Sequence, residues 1–229
     1  MKQQIEIDGI KMQVERKNIK NMYIRILPPN GEVKITVPKL ISDEKVRLFI
    51  LSRIAWIKKN KAKCIGNPPP AKENYVSGEI YYLWGKAYRL EVFYTNGKSN
   101  VYIKEDNIVL EVQKNSTQAQ REDIIREWYR KELKKEIPKV LERCVKVVGK
   151  SPNEWRVKNM RTRWGTCNIN KKRIWLNLQL AKKPIECLEY VITHELVHLY
   201  EKGHNAKFRA YMDQFYPNWR SVKKQLLIY

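Results

Sequence analysis

All three histidines of this 229-residue chain fall inside one eleven-residue stretch, from His194 to His204. Histidines used for core packing would scatter. These cluster, and two of them stand four residues apart in Val191-Ile192-Thr193-His194-Glu195-Leu196-Val197-His198. Around them Ile185, Leu188, Val191, Ile192, Leu196 and Leu199 recur at helical spacing. Residues four apart on a helix share a face, so both imidazoles can reach one metal ion while Glu195 stands beside it. A fold available to this chain must therefore frame that helix with apolar contacts around a metal site.

A catalytic zinc takes three protein ligands and keeps one position open. His204 supplies a third imidazole six residues after His198, in Lys202-Gly203-His204-Asn205. Gly203 is placed to end the helix in a left-handed conformation and turn the chain back, which would carry His204 round to the metal. Neutral imidazoles leave the ion its full charge, which lowers the pKa of a bound water towards ~7. Glu195 is then the general base, taking the water's proton and handing it to the leaving group. The expectation is a zinc hydrolase with metal ligands His194, His198 and His204 and catalytic Glu195.

The rest of the chain reads as α+β, strand-rich in its N-terminal half and helical in its C-terminal half. Segments 5–7, 11–14, 22–27 and 33–37 alternate as strands, with Pro28-Pro29-Asn30-Gly31 as a hairpin turn. One helix follows, capped by Ser42, with Asp43 and Glu44 in its first turn and Lys58, Lys59 and Lys61 in its last. Gly66-Asn67-Pro68-Pro69-Pro70 reads as a connector. Segments 79–83, 87–95, 100–104 and 108–113 form a second strand set, with hairpin turns at Asn96-Gly97 and Glu105-Asp106-Asn107. A helix over about 117–148 carries Pro138, which should kink or split it. A strand pair at 154–160 and 173–180, joined through 161–172, precedes the histidine helix, which begins near Pro184. Helices at about 205–215 and 217–228 close the chain. No internal repeat is visible. The expected division is 1–66, 67–115 and 116–229, which are also able to form one unit.

Lys and Arg outnumber Asp and Glu by 46 to 24, a net +22, which favours anionic company such as nucleic acid or nucleotides. The excess is spread: residues 1–110 hold 20 basic and 11 acidic residues, and residues 111–229 hold 26 and 13. No nucleic-acid-binding motif accompanies it, and a lysine-rich genome accounts for it equally. The start MKQQIEIDGI has no apolar core of a signal peptide, and no apolar run is long enough to span a membrane. The four cysteines form no CxxC pair and read as reduced thiols, so the expected compartment is the cytoplasm.

The spacing of the histidines resembles the metzincin arrangement, but Glu201 stands where that family has glycine and no Met-turn is evident. A better match runs through Arg161-Thr162-Arg163-Trp164-Gly165-Thr166-Cys167, Ile174-Trp175-Leu176-Asn177-Leu178-Gln179-Leu180, the histidine helix, His204-Asn205-Ala206-Lys207-Phe208 and Pro217-Asn218-Trp219. As a set these resemble the YgjP-like metallopeptidase family, related to the WLM and SprT-like zinc peptidases. Val37-Pro38 and Trp56-Ile57 extend the likeness towards the N-terminus, and Asn205 departs from an expected serine. The resemblance implies a zincin-like C-terminal domain with zinc on the three histidines, catalytic Glu195, and a protein or peptide substrate.

Several residues keep two readings. Arg161 and Arg163 are candidates for binding a substrate carboxylate or phosphate, or form a solvated hairpin edge. Trp164 and Trp175 fit a core better than a recognition platform, and Cys167 and Cys187 read as packing residues. Asn177 and Asp213 are candidate partners for a ligand imidazole. Two other functions fit the same residues: a metal-dependent hydrolase of nucleotides or other phosphate compounds, and a basic nucleic-acid-binding module with a structural zinc closed by a fourth ligand.

Overall fold

The computed structural model describes residues 2–27, 30–66 and 73–226. The chain divides into two units, residues 1–72 and 73–229. In the first, β1 (Lys2–Ile7) and β2 (Ile10–Lys17) form a hairpin closed by Asp8 and Gly9, both left-handed at φ 54° and 72°. Two consecutive left-handed residues match the twist of the flanking strands, which is what Asp-Gly supplies. β3 (Tyr23–Leu27) and β4 (Glu32–Pro38) are antiparallel. Of the expected turn between them, Pro28 and Pro29 lie outside the described residues, and Gly31 is left-handed at φ 66°. β2 and β4 pair in parallel, so the sheet order is β1-β2-β4-β3. Alternation sends Met12, Val14, Val33, Ile35 and Val37 to one buried face, where they meet Val46, Ile50 and Ile57.

Those last three residues come from two helices, α1 (Asp43–Leu51) and α2 (Ile54–Gly66), where the sequence pattern suggested one. The break is at Ser52, whose hydroxyl donates to the Phe49 carbonyl at 2.8 Å. A short polar side chain that competes for the backbone in this way favours a helix end over a helix interior.

The second unit begins with β5 (Ile80–Leu83), β6 (Lys86–Tyr94), β7 (Asn100–Lys104) and β8 (Asn107–Val112). Their order is β5-β6-β8-β7, with β6 parallel to β8 and the outer pairs antiparallel. That is the topology of the first sheet over again, a structural repeat with no repeat in the sequence. It also corrects the reading of Asn96-Gly97 as a hairpin turn, because β8 lies between β6 and β7. Neither residue takes positive φ, and Gly97 instead donates its N–H to the Thr95 hydroxyl at 3.0 Å.

α3 (Gln118–Val148) opens with a capping box between Thr117 and Gln120 and ends at Gly149, left-handed at φ 73°. It is not split at Pro138. Leu133, Ile137 and Val140, fully buried around the proline, hold the helix against the core while one backbone hydrogen bond is missing. Then come β9 (Glu154–Lys158), β10 (Gly165–Asn168) and β11 (Arg173–Asn177) in the order β10-β11-β9. β10 lies inside the stretch expected to be a connection. It pairs antiparallel with β11, and β9 pairs with β11 in parallel. The expected strand to residue 180 stops at Asn177, whose side chain caps a 3-10 turn, Leu178–Lys182. α4 (Ile185–Val197), α5 (Ala206–Phe215) and α6 (Trp219–Gln225) complete the unit. One hydrophobic core joins Leu90 and Leu110 of the sheet to Leu133 of α3 and to Ile192 and Leu196 of α4. No helix among the described residues is long and apolar enough to cross a membrane.

Candidate active site

α4 is buried along nearly all of its length, including Leu188, Val191, Ile192 and Leu196, and its last turns carry His194 and Glu195. The helix ends before Gly203, contrary to expectation. His198 is already the capping residue, and the Val197 carbonyl accepts from both Tyr200 N–H (2.9 Å) and Glu201 N–H (3.0 Å). Gly203 does not adopt positive φ. The tightened last turn satisfies the free carbonyls, so no left-handed glycine is needed to reverse the chain.

His204 is delivered by two contacts that the sequence did not advertise. Arg209 Nη1 donates to the His204 carbonyl at 3.1 Å, and the next residue, Asn205, caps α5 by accepting from Phe208 N–H at 3.0 Å. Phe208, 3% exposed, then backs all three imidazoles, with ring centroids 4.9, 4.8 and 4.7 Å from those of His194, His198 and His204. His198 Nδ1 lies 3.1 Å from the Glu201 carbonyl, which accepts its proton and leaves Nε2 as the free donor atom.

The ring nitrogens of His194, His198 and His204 all lie within 4.8 Å of one another. The Nε2 atoms of His194 and His204 are 2.9 Å apart. A tetrahedral zinc with Zn–N near 2.0–2.1 Å would hold its nitrogens ~3.3 Å apart, so the donor set fits that ion with small adjustments. Burial, with the neighbouring His198, His204 and Lys223, brings the His194 pKa down to about 3 and keeps the ring neutral. His204 is lowered for the same reasons. Among the described residues no cysteine or carboxylate joins the three.

Glu195 is 4% exposed, and burial pushes its pKa up to about 8, against an opposing pull from Arg163. What buries it is β10. A Cβ at Gly165 would stand 2.5 Å from Glu195 Oε1, 2.9 Å from Glu195 Cγ and 2.9 Å from Val191 Cγ1. Only glycine lets the strand lie this close to the helix. β10 is also an edge strand: β11 occupies one side, and no strand of the described residues occupies the other. Together β10, α4 and the turn after α4 wall a cleft of about 1030 Å³ that contains Glu195 and all three histidines.

A YgjP-like metallopeptidase domain model matches residues 20–228. The chain belongs to the YgjP-like metallopeptidase family. Among curated proteins none matches it. Of solved structures, the metallopeptidase zymogen of Pyrococcus abyssi abylysin is 17% identical, covering 40% of this chain and 91% of its own at a TM-score of 0.37. The metallopeptidase zymogen of Methanocaldococcus jannaschii jannalysin is 19% identical, covering 40% and 88% at a TM-score of 0.35.

In this YgjP-like metallopeptidase the lesser sequence candidates separate. Arg163 lines the cleft; Arg161 is exposed but is not among the lining residues. Trp164 packs on the core and lines the cleft as well, whereas Trp175 sits beneath Arg156, 5.5 Å from its guanidinium. Cys167 faces the cleft, its thiol pushed up to about 11 by burial and then by Glu195, while Cys187 is buried in the core. Neither Asn177 nor Asp213 partners an imidazole. Asn177 uses its whole amide on backbone, accepting from Met160 and Gln179 N–H and donating to the Met160 and Arg163 carbonyls at 2.9 and 2.7 Å. It thereby anchors the loop that presents Arg163. Asp213 binds Trp219 Nε1 at 2.8 Å and pairs with Arg220.

Proposed function

We propose that this metallopeptidase holds one zinc ion on His194, His198 and His204 and cleaves peptide bonds with Glu195 as general base. The observation that carries the reading is the convergence of three imidazoles, within 4.8 Å of one another, on a cleft that also holds a buried carboxylate. Three nitrogen donors suit zinc, whereas magnesium and calcium prefer oxygen. No fourth protein ligand is at hand among the described residues, which favours a catalytic over a structural site. When bound, zinc would polarise the scissile carbonyl and activate water for attack.

The chain's own residues account for the rest. Glu195, its pKa pushed up to about 8 by burial, takes a proton from the attacking water and returns it to the leaving amine. The unpaired edge of β10 gives an extended peptide a row of backbone donors and acceptors beside that carboxylate. Phe208 keeps water away from the back of the triad, and Arg163 reaches the substrate from the loop before β10. A cytoplasmic location accords with the unbridged thiols Cys144, Cys167 and Cys187.

Mass spectrometry of intact protein, followed by a fluorogenic peptide screen, tests the reading. One zinc per chain is expected, lost or much weakened in His204→Ala. Glu195→Gln should keep the metal and lose cleavage. Absence of metal after zinc is added back, or full cleavage by the Glu195→Gln variant, would overturn the assignment.

A further inference from the structure

The charges that line the cleft are almost all of one sign. Arg163 enters from the loop before β10, Lys202 from the turn after α4, and Lys223 from α6, while among the described residues Glu195 is the only acidic one of the lining. Some cations elsewhere on this unit do have carboxylate neighbours. Along α3, Arg126, Lys135, Lys139 and Lys146 each pair with a carboxylate three or four residues away. On α6 itself, Arg220 pairs with Asp213, while Lys223 one turn further on lies over the ring of Trp219, 5.6 Å away. Among the described residues no carboxylate lies within ion-pairing distance of Arg163, Lys202 or Lys223.

Two of the three cations also act on different groups of the reacting centre. Lys223 acts electrostatically on His194 and His204, and Arg163 acts on Glu195. Cations left unpaired around a concave, partly dry wall focus their field into the cleft and raise the local concentration of anions there. They also leave hydrogen-bond donors free, and a ligand carboxylate satisfies these with charge-assisted bonds. The overall charge of +22 would have suggested a diffuse attraction for anything acidic. The cleft adds something local: three cations share one lining with a single carboxylate among the described residues, and none of the three is in an ion pair there.

We propose that the cleft selects peptides that carry carboxylates flanking the scissile bond, with Arg163 on the β10 side and Lys202 and Lys223 on the histidine side as the specificity-determining residues. This rests on the peptidase reading and adds its substrate class. Each contact is a partly exposed ion pair, so no single one dominates. Two or three together give a preference of about tenfold, weakening as salt rises.

The test uses the zinc-loaded full-length chain and matched quenched peptides, capped at both ends, with Glu, Gln or Lys flanking a common core. A fourth peptide has a neutral interior and is compared with a free and with an amidated C-terminus. We expect kcat/KM for the Glu peptide to exceed that for the Gln peptide by about tenfold, mainly through KM, with the Lys peptide poorest. In Lys223→Gln and Arg163→Gln the ratio should fall several-fold. All three cations are exposed, so these variants should fold. An advantage confined to the free C-terminus would support carboxylate capture and assign its source to the chain end. Equal cleavage of the Glu and Gln peptides would overturn the inference and leave the peptidase intact.

Binding to the Glu195→Gln variant, followed by fluorescence anisotropy, separates the two readings. If no peptide is cleaved but the Glu peptide still binds about tenfold tighter than the Gln peptide, the peptidase reading fails and the carboxylate preference stands. If a single-stranded oligonucleotide displaces both peptides and the two bind alike, the cleft is a nucleic-acid groove and the proposal is wrong.

Discussion

Gly165→Ala adds one methyl group at the point where β10 meets α4. Backbone strain does not enter, because Gly165 does not use positive φ. The space does. The new Cβ would stand 2.5 Å from Glu195 Oε1 and 2.9 Å from both Glu195 Cγ and Val191 Cγ1. Ordinary carbon contacts sit near ~3.5–4 Å, so the strand and helix must part by about 1 Å, or Glu195 must leave its rotamer. Overpacking of this size costs about 1–3 kcal/mol. For a chain this long, each kcal/mol lowers the melting temperature by about 2–4 °C.

The larger consequence is catalytic. A general base displaced by about 1 Å can lose on the order of 100-fold in rate. The expected result is zinc binding as in wild type, a melting temperature lower by several degrees, and kcat/KM on a fluorogenic peptide reduced by about 100-fold. Gly203→Ala is the control, since a Cβ there meets nothing within 4 Å and the φ is ordinary. Wild-type activity and stability in Gly165→Ala would mean that Glu195 is not held by this contact, and the account of how β10 positions it would fall.

The metal-free protein should carry two opposed pH dependences, both readable by urea unfolding after chelation. Below its ordinary 4.5 Glu195 is protonated folded or unfolded; as pH rises to about 8 only the unfolded chain releases the proton, so stability falls across that window by up to ~5 kcal/mol. Glu195→Gln should therefore match wild type below pH 4.5 and be more stable above pH 8. His194 is lowered from 6.5 to about 3, so its contribution is complete above pH 6.5 and is lost as pH falls towards 3; His194→Asn should remove that acid sensitivity. Arg209→Ala, which frees the His204 carbonyl, should weaken zinc about 10- to 100-fold in competition with a chelating dye while the fold persists. Pro138→Ala, restoring the missing backbone bond in α3, should stabilise the protein by about 1–3 kcal/mol in denaturant melts.

Most elements were legible because local rules settled them. The Ser42 cap and the Glu105-Asp106-Asn107 turn act within a few residues, and alternation or helical spacing marks the strands and α4. What misled lay at longer range or in competition between near neighbours. Asn96-Gly97 is a good hairpin sequence, but β8 takes the pairing edge of β6 that such a hairpin needs. Ser52 looks harmless in a helical pattern until its hydroxyl takes the Phe49 carbonyl. Pro138 looked disruptive until its neighbours proved to be fully buried.

The candidate site divides in the same way. His194, Glu195 and His198 were readable because a helix converts spacing directly into direction, and one turn is all that the two imidazoles need. That His204 would join them could be guessed from the chain's economy of histidines, though not how: the turn closes on Val197 and is braced by Arg209, with no role for Gly203. Gly165 over Glu195, Phe208 behind the triad and Lys223 in the cleft had no signal in spacing, because each depends on elements brought together from separate parts of the chain. The sequence determined which groups are available to the proposed chemistry. Only the tertiary structure decided their burial, and with it their protonation and the charge that a substrate meets, because desolvation and field depend on what surrounds a group in space.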